Sequence, residues 1–260
     1  MNLGLADQVV LVSGASRGIG FAIAAAFAAE GCKVAIVARN GVVLTAAAER
    51  LTATAGAGRI LAIVADMGNE AEVAAAVARA EAELGPIRAA VANAGSGAAR
   101  TGVDLGRADW QSAFDANFYP ATLLASALLP RMAARRLGSL TFVSSIAGSE
   151  AIRAPIPYAA AKAALNMAVK AYAQQVGSAN VRVNAVAPGN VFFPGGSWAR
   201  KFEDAGKKAL FAEYIEREVA LRRFATPREI ADVVVFLAST RASFVSGAIV
   251  AADGGQLRSV

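Results

Sequence analysis

Tyr158 and Lys162 stand four residues apart in this chain, one helical turn if the segment is a helix. Pro157 just before them suits the first turn of a helix, so both side chains are expected on one face, about 6 Å apart along the axis. A tyrosine hydroxyl titrates near pH ~10, and a neighbouring ammonium is expected to lower that value by stabilising the phenolate, which eases proton exchange at neutral pH. Tyr-x-x-x-Lys by itself is also a common surface pairing, so its surroundings carry the weight. Ser144-Ser145 closes a strand-like run from Leu140, where a hydroxyl can project from a rigid strand end; capping the next turn is the structural alternative. Asn117 falls inside a helical stretch, where burying its amide requires partners, either as a bridge to backbone or in a water-mediated proton path.

A second chemistry is written into Ser13-Gly14-Ala15-Ser16-Arg17-Gly18-Ile19-Gly20. This Gly-x-x-x-Gly-x-Gly turn follows an apolar strand and opens a helix. Its glycines permit a tight turn and close approach of a pyrophosphate, and the helix N-terminus offers free N–H groups to an anion. An acid at the end of the second strand would accept ribose hydroxyls and repel a 2′-phosphate; this chain has Ala38-Arg39-Asn40 instead. Arg39, with Arg17, is suited to clamp that phosphate, which favours NADP(H) while leaving NAD(H) open. Asp66, past the third strand, is placed to accept from an adenine amino group. Asn93-Ala94-Gly95, past the fourth, falls where a dinucleotide crosses the sheet.

These residues need a scaffold that brings strand ends together. Strand-like runs at Val9–Val12, Val34–Val37, Ile60–Val64, Ala89–Ala92, Leu140–Ser144, Val181–Val186 and Ala248–Val250 alternate with helical patterns. The helices are expected from Gly18 to Glu30, Val42 to Thr54, Glu70 to Glu83, Trp110 to Arg136 with a bend or break at Pro120, Pro157 to Val176, and Pro227 to Ser239. This rhythm predicts an α/β fold: a Rossmann-type, doubly wound parallel sheet flanked by helices, with ligands beyond the carboxyl ends of the strands. Residues 1–260 read as one domain. An insertion at about 190–226, with short helices near Ala199–Ala205 and Lys208–Val219, is expected to cover the site.

Composition closes off other classes. Hydrophobic residues make up 56% and charged ones 18%, as expected for continuous apolar strands covered on both faces. No histidine and one cysteine, Cys32, are present. These counts argue against a disulfide framework, a His-based metal site and Cys-His nucleophilic chemistry; no metal is expected. A net charge of +6 is spread along the chain without interleaved aromatics, suiting an anionic small molecule better than nucleic acid. Neither a secretory leader nor an apolar run of roughly 18 residues stands out, so no membrane role and a cytoplasmic location are expected.

With Asn184, Pro188-Gly189 and Asp253-Gly254-Gly255 added to these motifs, the chain resembles the classical short-chain dehydrogenase/reductase family over nearly its whole length. The resemblance implies that Ser145 positions a carbonyl or hydroxyl oxygen and that Tyr158 supplies or removes its proton. It implies that Lys162 holds the nicotinamide ribose and lowers the tyrosine pKa, and that Asn117 supports a water relay. Cofactor contacts are implied for the Ser13–Gly20 turn, Arg39, Asp66, Asn93-Ala94-Gly95, Tyr158, Lys162 and Pro188-Gly189. One departure is notable: the Thr usually found after Pro-Gly, which contacts the carboxamide, falls on Phe193, leaving backbone or Ser197 to replace it.

Phe192, Phe193, Trp198, Phe202, Phe211 and Tyr214 in the insertion suggest an aromatic, largely apolar pocket for a hydrophobic ketone or secondary alcohol, although most of them can equally pack the insertion onto the sheet. The alternative activity is 3-oxoacyl-[acyl-carrier-protein] reductase, for which Arg131, Arg135 and Arg136 are candidates to receive an acidic carrier protein. Ser178-Ala179-Asn180 lacks the further basic residue such reductases often have. An inactive dinucleotide sensor or scaffold is a third reading. Hydrolase chemistry is disfavoured, since neither a Gly-x-Ser-x-Gly elbow nor a histidine base is present. Resemblance also implies a homotetramer.

Overall fold

Strands that are apolar at every position, rather than at alternate ones, need cover on both faces. The computed structural model, which describes residues 2–204, 206 and 208–259, lays seven of them side by side. They are β1 (Val9–Ser13), β2 (Lys33–Ala38), β3 (Ile60–Val64), β4 (Ile87–Ala92), β5 (Gly138–Val143), β6 (Val181–Pro188) and β7 (Ile249–Ala252). All pair in parallel in the order β3-β2-β1-β4-β5-β6-β7. The order reverses between β1 and β4, which opens a crevice at their carboxyl ends.

Successive strand residues point to opposite faces, and two cores result. Val10 and Val12 of β1 face α1 (Gly18–Ala29), α2 (Gly41–Ala55) and α9 (Pro227–Ala238). Val9 and Leu11 belong to the other core, with α3 (Glu70–Leu84), α5 (Tyr119–Arg135) and α6 (Ile156–Val176). Small residues let these helices sit close to the sheet: Ala24, Ala28, Ala125 and Ala161 are all buried. Gly31 follows α1 at φ +78°, a left-handed turn that side chains with a Cβ resist.

The expected helix from Trp110 to Arg136 is two helices. α4 (Arg107–Asn117) ends, Phe118 departs from helical geometry at φ −107° and ψ −58°, and α5 begins. The break precedes Pro120 because a proline ring clashes with the backbone four residues earlier, so the chain reorients upstream of it. Asn117 is therefore a helix-end residue, not a mid-helix one. Ser144, read as the end of the fifth strand, lies beyond β5 together with Ser145.

After β6 come α7 (Ser197–Phe202) and α8 (Lys208–Glu218). The helix expected to reach Ala205 stops at Phe202, and Ala205 itself lies outside the described residues. The segment's two ends meet: Phe192 N–H donates to Ala225 O and Ala225 N–H to Asn190 O, each at 2.9 Å. Among the described residues no helix is long and apolar enough to cross a membrane.

Candidate active site

The phosphate-type turn between β1 and α1 is held from below. Ser13 is fully buried, and its Oγ donates to Val91 O at 3.3 Å while accepting from the N–H groups of Asn93 (3.0 Å) and Ala94 (3.1 Å). Those bonds lash β1 to β4, so the Ser13 side chain is a strut beneath the turn, and Ser13 is not among the residues that line the cavity above it. Asn93 Nδ2 donates to the carbonyls of Ser13 and Gly14, both at 3.1 Å. A Cβ on Gly20 would lie 2.2 Å from Gly14 O, so only glycine lets α1 start this close to the turn.

The first turn of α1 has no side-chain cap and no acidic residue. Its N–H groups face a cavity of about 620 Å³ whose wall includes Gly14, Arg17, Ile19 and Gly20. An uncapped helix N-terminus flanked by an arginine fits a dinucleotide pyrophosphate. Arg39 and Asp66 lie at the neighbouring ends of β2 and β3, outside that cavity. They form a long, exposed ion pair at 3.9 Å, and Asp66 Oδ1 accepts from Gly68 N–H at 2.9 Å. Their juxtaposition leaves the Arg39 guanidinium mostly in solvent, open to a phosphate.

The same cavity is walled by Asn93, Ala94, Gly95, Asn117, Ser145, Tyr158, Lys162, Pro188 and Gly189, so most of the residues singled out in the sequence converge. Ser16 and Gly18 do not join that wall. Gly18 is covered by Phe193, whose ring would lie 2.5 Å from a Cβ there. Phe193 thus packs on the phosphate turn and also lines the cavity. Ser197 does line the cavity.

Lys162 is buried, and its Nζ donates to Val143 O at 2.9 Å, tying α6 to the end of β5. The ammonium sits 6.0 Å from the centre of the Tyr158 ring. Burial pushes the Lys162 pKa down to about 8, because removing water disfavours the charged form. Burial likewise pushes the Tyr158 hydroxyl up, and a hydrogen bond with Ser145 acts in the opposite direction. The expected lowering of the tyrosine by Lys162 is therefore not what dominates here: desolvation outweighs it. Ser145 has extended backbone and its Oγ accepts from Ala147 N–H at 3.2 Å, so it caps the following turn while facing Tyr158. Both alternatives for this serine are realised at once.

Asn117 lines the same cavity and bonds to backbone groups. Its Oδ1 accepts from Ser96 N–H and its Nδ2 donates to Ala113 O, each at 3.0 Å. This is the backbone-bridging arrangement, placed at the junction that Pro120 creates.

Several supports are not legible as motifs. A Cβ on Gly148 would come within 2.6 Å of the Lys162 carbonyl carbon; glycine there lets the 145–149 turn rest directly on the α6 backbone. Ser144 Oγ donates to Asn166 Oδ1 at 2.6 Å, and Asn166 Nδ2 donates to Ser149 Oγ at 3.2 Å. Gly189 packs on Asp253, whose carboxylate accepts from Gly255 N–H at 3.0 Å and Leu257 N–H at 2.8 Å. Asn190 Nδ2 donates to Gln256 Oε1 at 2.7 Å, and Gln256 Nε2 donates to the Tyr214 hydroxyl at 2.9 Å, tethering α8. Advance signals were Ser144, Pro188-Gly189, Tyr214 and the Asp-Gly-Gly run; Gly148, Ser149, Asn166, Asn190 and Gln256 are single residues whose partners are remote in sequence.

The insertion aromatics divide. Phe192 and Phe202 pack edge-on to each other at 5.9 Å and against Phe224, with no part in the cavity wall. Trp198, Phe211 and Tyr214 pack together and also face the cavity. Arg131 and Arg135 both bind Glu81, at 2.9 and 2.7 Å, and Arg136 donates to Ser178 O. This cluster adjoins the N-terminal end of β5, across the sheet from the cavity. Among the described residues no cluster of three or more His, Cys, Asp or Glu side chains is arranged to hold a metal ion.

A family model described as enoyl-(acyl carrier protein) reductase matches residues 14–256. The chain is 34% identical to the 3-oxoacyl-[acyl-carrier-protein] reductase FabG of Chlamydia muridarum, over 98% of this chain and 99% of that one. L-sorbose reductase from Gluconobacter frateurii, solved with NADPH and L-sorbose, superposes with a TM-score of 0.93 at 32% identity, covering 100% of both chains. An NADPH-bound short-chain oxidoreductase from Pseudomonas aeruginosa with an atypical catalytic center gives 0.90 at 29% identity, covering 97% of this chain and 98% of the other. The chain belongs to the short-chain dehydrogenase/reductase family. It is an oxidoreductase of that family.

Proposed function

We propose that the chain interconverts a free small-molecule ketone and its secondary alcohol, with the pyrophosphate on the α1 N-terminus, the 2′-phosphate between Arg17 and Arg39, and residues 190–226 closing over the substrate. The observation that carries this reading is the convergence of Ser145, Tyr158 and Lys162 on one cavity beside an uncapped helix N-terminus. NADPH, when bound, supplies the hydride. Ser145 holds the carbonyl oxygen, and Tyr158 gives its proton to that oxygen as the alcohol forms. Lys162, anchored at Val143 O, orients the ribose and feeds charge toward the tyrosine. Asn117, with its amide committed to backbone, holds the 95–97 strand-end segment at the nicotinamide side.

The test is turnover with NADPH over a panel of free ketones, beside the Tyr158→Phe variant. Wild type is expected to oxidise NADPH with a subset of ketones. The variant is expected to keep its NADPH Kd and lose about two to four orders of magnitude in turnover. Unchanged turnover in a folded variant overturns the assignment of Tyr158, and cofactor binding without any turnover would favour a sensor.

Carrier-bound 3-oxoacyl substrates are the second reading, supported by similarity to FabG. Against it, the Arg131 and Arg135 guanidinium groups are already engaged by Glu81. Association into a homotetramer is also proposed. Ile156 and Met167 of α6 and Tyr119 of α5 are exposed apolar side chains at 46%, 70% and 42%, which support burial against a second copy.

A further inference from the structure

Besides Arg17, Lys162 and the aromatic side chains, the cavity wall carries four cations. Arg153 enters it from the loop before α6, Arg200 and Lys201 from α7, and Arg217 from the last turn of α8; Glu213 is the only carboxylate among the described wall residues. α8 turns one face inward, with Leu210, Glu213, Tyr214 and Arg217 at helical spacing. That face runs about 10 Å along its axis, so Arg217 stands well beyond Leu210.

The local charges do not cancel. Glu218 pairs with Arg217 at 2.9 Å and with Arg258 at 3.2 Å, and Arg153 also acts on it through space. Arg217, Arg258 and Arg153 thus all act on Glu218, with Glu150 acting on Arg258 as well, and two of the three, Arg153 and Arg217, belong to the cavity wall. Lys201 lies over the Trp198 ring at 4.2 Å and the Phe211 ring at 5.8 Å. Among the described residues no carboxylate pairs with Arg153 or Lys201. The cofactor's anions already have donors of their own in the α1 N-terminus, Arg17 and Arg39. A surplus of positive charge in the cavity wall from the α6-preceding loop, α7 and α8 points to an anion on the substrate.

We infer that this enzyme acts on a carbonyl compound bearing a carboxylate, sulfonate or phosphate, held by Arg153 and Arg217 while its carbonyl lies at Ser145 and Tyr158. The inference rests on the reductase reading given above. Guanidinium groups grip such anions by paired, charge-assisted hydrogen bonds. Tyr214 and Trp198 stack on each other in the same wall and supply apolar surface beside the guanidinium groups.

The experiment compares oxo-carboxylates of increasing chain length with their methyl esters, and one oxo-phosphonate, in NADPH-dependent kcat/KM. Neutral reference ketones and a carrier-bound 3-oxoacyl substrate run alongside. At the best chain length the acid is expected to exceed its ester by about tenfold or more, with the advantage shrinking as salt rises. Arg153→Gln and Arg217→Gln are each expected to cut the acid-to-ester ratio by about tenfold, and Arg153→Glu to reverse it. Esters equal to acids at every length overturn the inference, as does a ratio unmoved in both Gln variants. A carrier-bound substrate outrunning every free acid also overturns it. Turnover of neutral ketones with no acid preference sinks this inference alone, whereas no turnover of any carbonyl compound sinks the reductase reading as well.

Discussion

Lys162 is the residue whose placement costs the fold most visibly. It is 5% exposed, bonded to a single carbonyl, and its pKa is pushed from 10.5 to about 8. The unfolded chain therefore holds this proton more tightly than the native one. Between pH 8 and 10.5 the unfolded state binds more protons, so this group makes stability rise with pH across that window; below pH 8 its cost is constant. At neutral pH that cost is on the order of 3 kcal/mol. Lys162→Met is expected to unfold at a higher urea midpoint at pH 7, to lose the rise between pH 8 and 10.5, and to lose most turnover. Equal pH dependence of stability in both proteins would contradict this account. A group kept at such a cost, facing Tyr158 in a cavity, is where a functional role is expected.

At the scale of elements, two contacts set the geometry. Gly148 lets the 145–149 turn lie against the α6 backbone at Lys162. Gly148→Ala must push the turn and α6 apart, and its Cβ meets backbone rather than a yielding side chain. A loss of about 1–3 kcal/mol is expected, with kcat falling more than the NADPH Kd weakens. Thermal melts and single-turnover rates check both. The second contact is the neighbouring ends of β2 and β3, where Arg39 stands 3.9 Å from Asp66. Ala38→Asp combined with Arg39→Gln puts an acid where a 2′-phosphate would lie. NADPH is expected to weaken by at least about tenfold more than NADH, measured as Kd at one fixed salt concentration. Equal weakening would make Arg39 a partner of the shared adenine end.

For the whole molecule, exposed apolar residues on α5 and α6 border the helices that carry Asn117 and Tyr158, so association would brace the site from outside. Mass measured over a range of concentrations is expected to give four copies, and Met167→Glu, on the face of α6 that is 70% exposed, is expected to shift the assembly toward smaller species. A monomer at all concentrations would remove the interface from consideration. The insertion is bound to the body through the Asn190–Gln256–Tyr214 bonds, through Leu221 N–H to Gly254 O at 3.0 Å, and through the Glu218–Arg258 and Arg223–Glu229 ion pairs.

The alternating strand and helix pattern, the glycine-rich turn and the Tyr158–Lys162 spacing were legible in the sequence because each depends on a local period or a local backbone need. Parallel order, the crevice between β1 and β4, and the placing of Ser145 beside Tyr158 follow almost directly, since right-handed crossovers leave few alternatives. Charge and side-chain partnership were decided only in three dimensions. Lys162 was expected to lower the Tyr158 pKa, but burial, which no spacing reports, acts more strongly on both groups. Phe193 was placed by its position after Pro188-Gly189, yet its ring settles on Gly18, 175 residues away in sequence. Aromatic residues near 192–214 suggested an apolar pocket, whereas packing turned some of them onto one another and brought Arg153 and Arg217 from separate segments to the same wall. Long-range pairing of this kind is a property of the folded surface, and a linear pattern carries no trace of it.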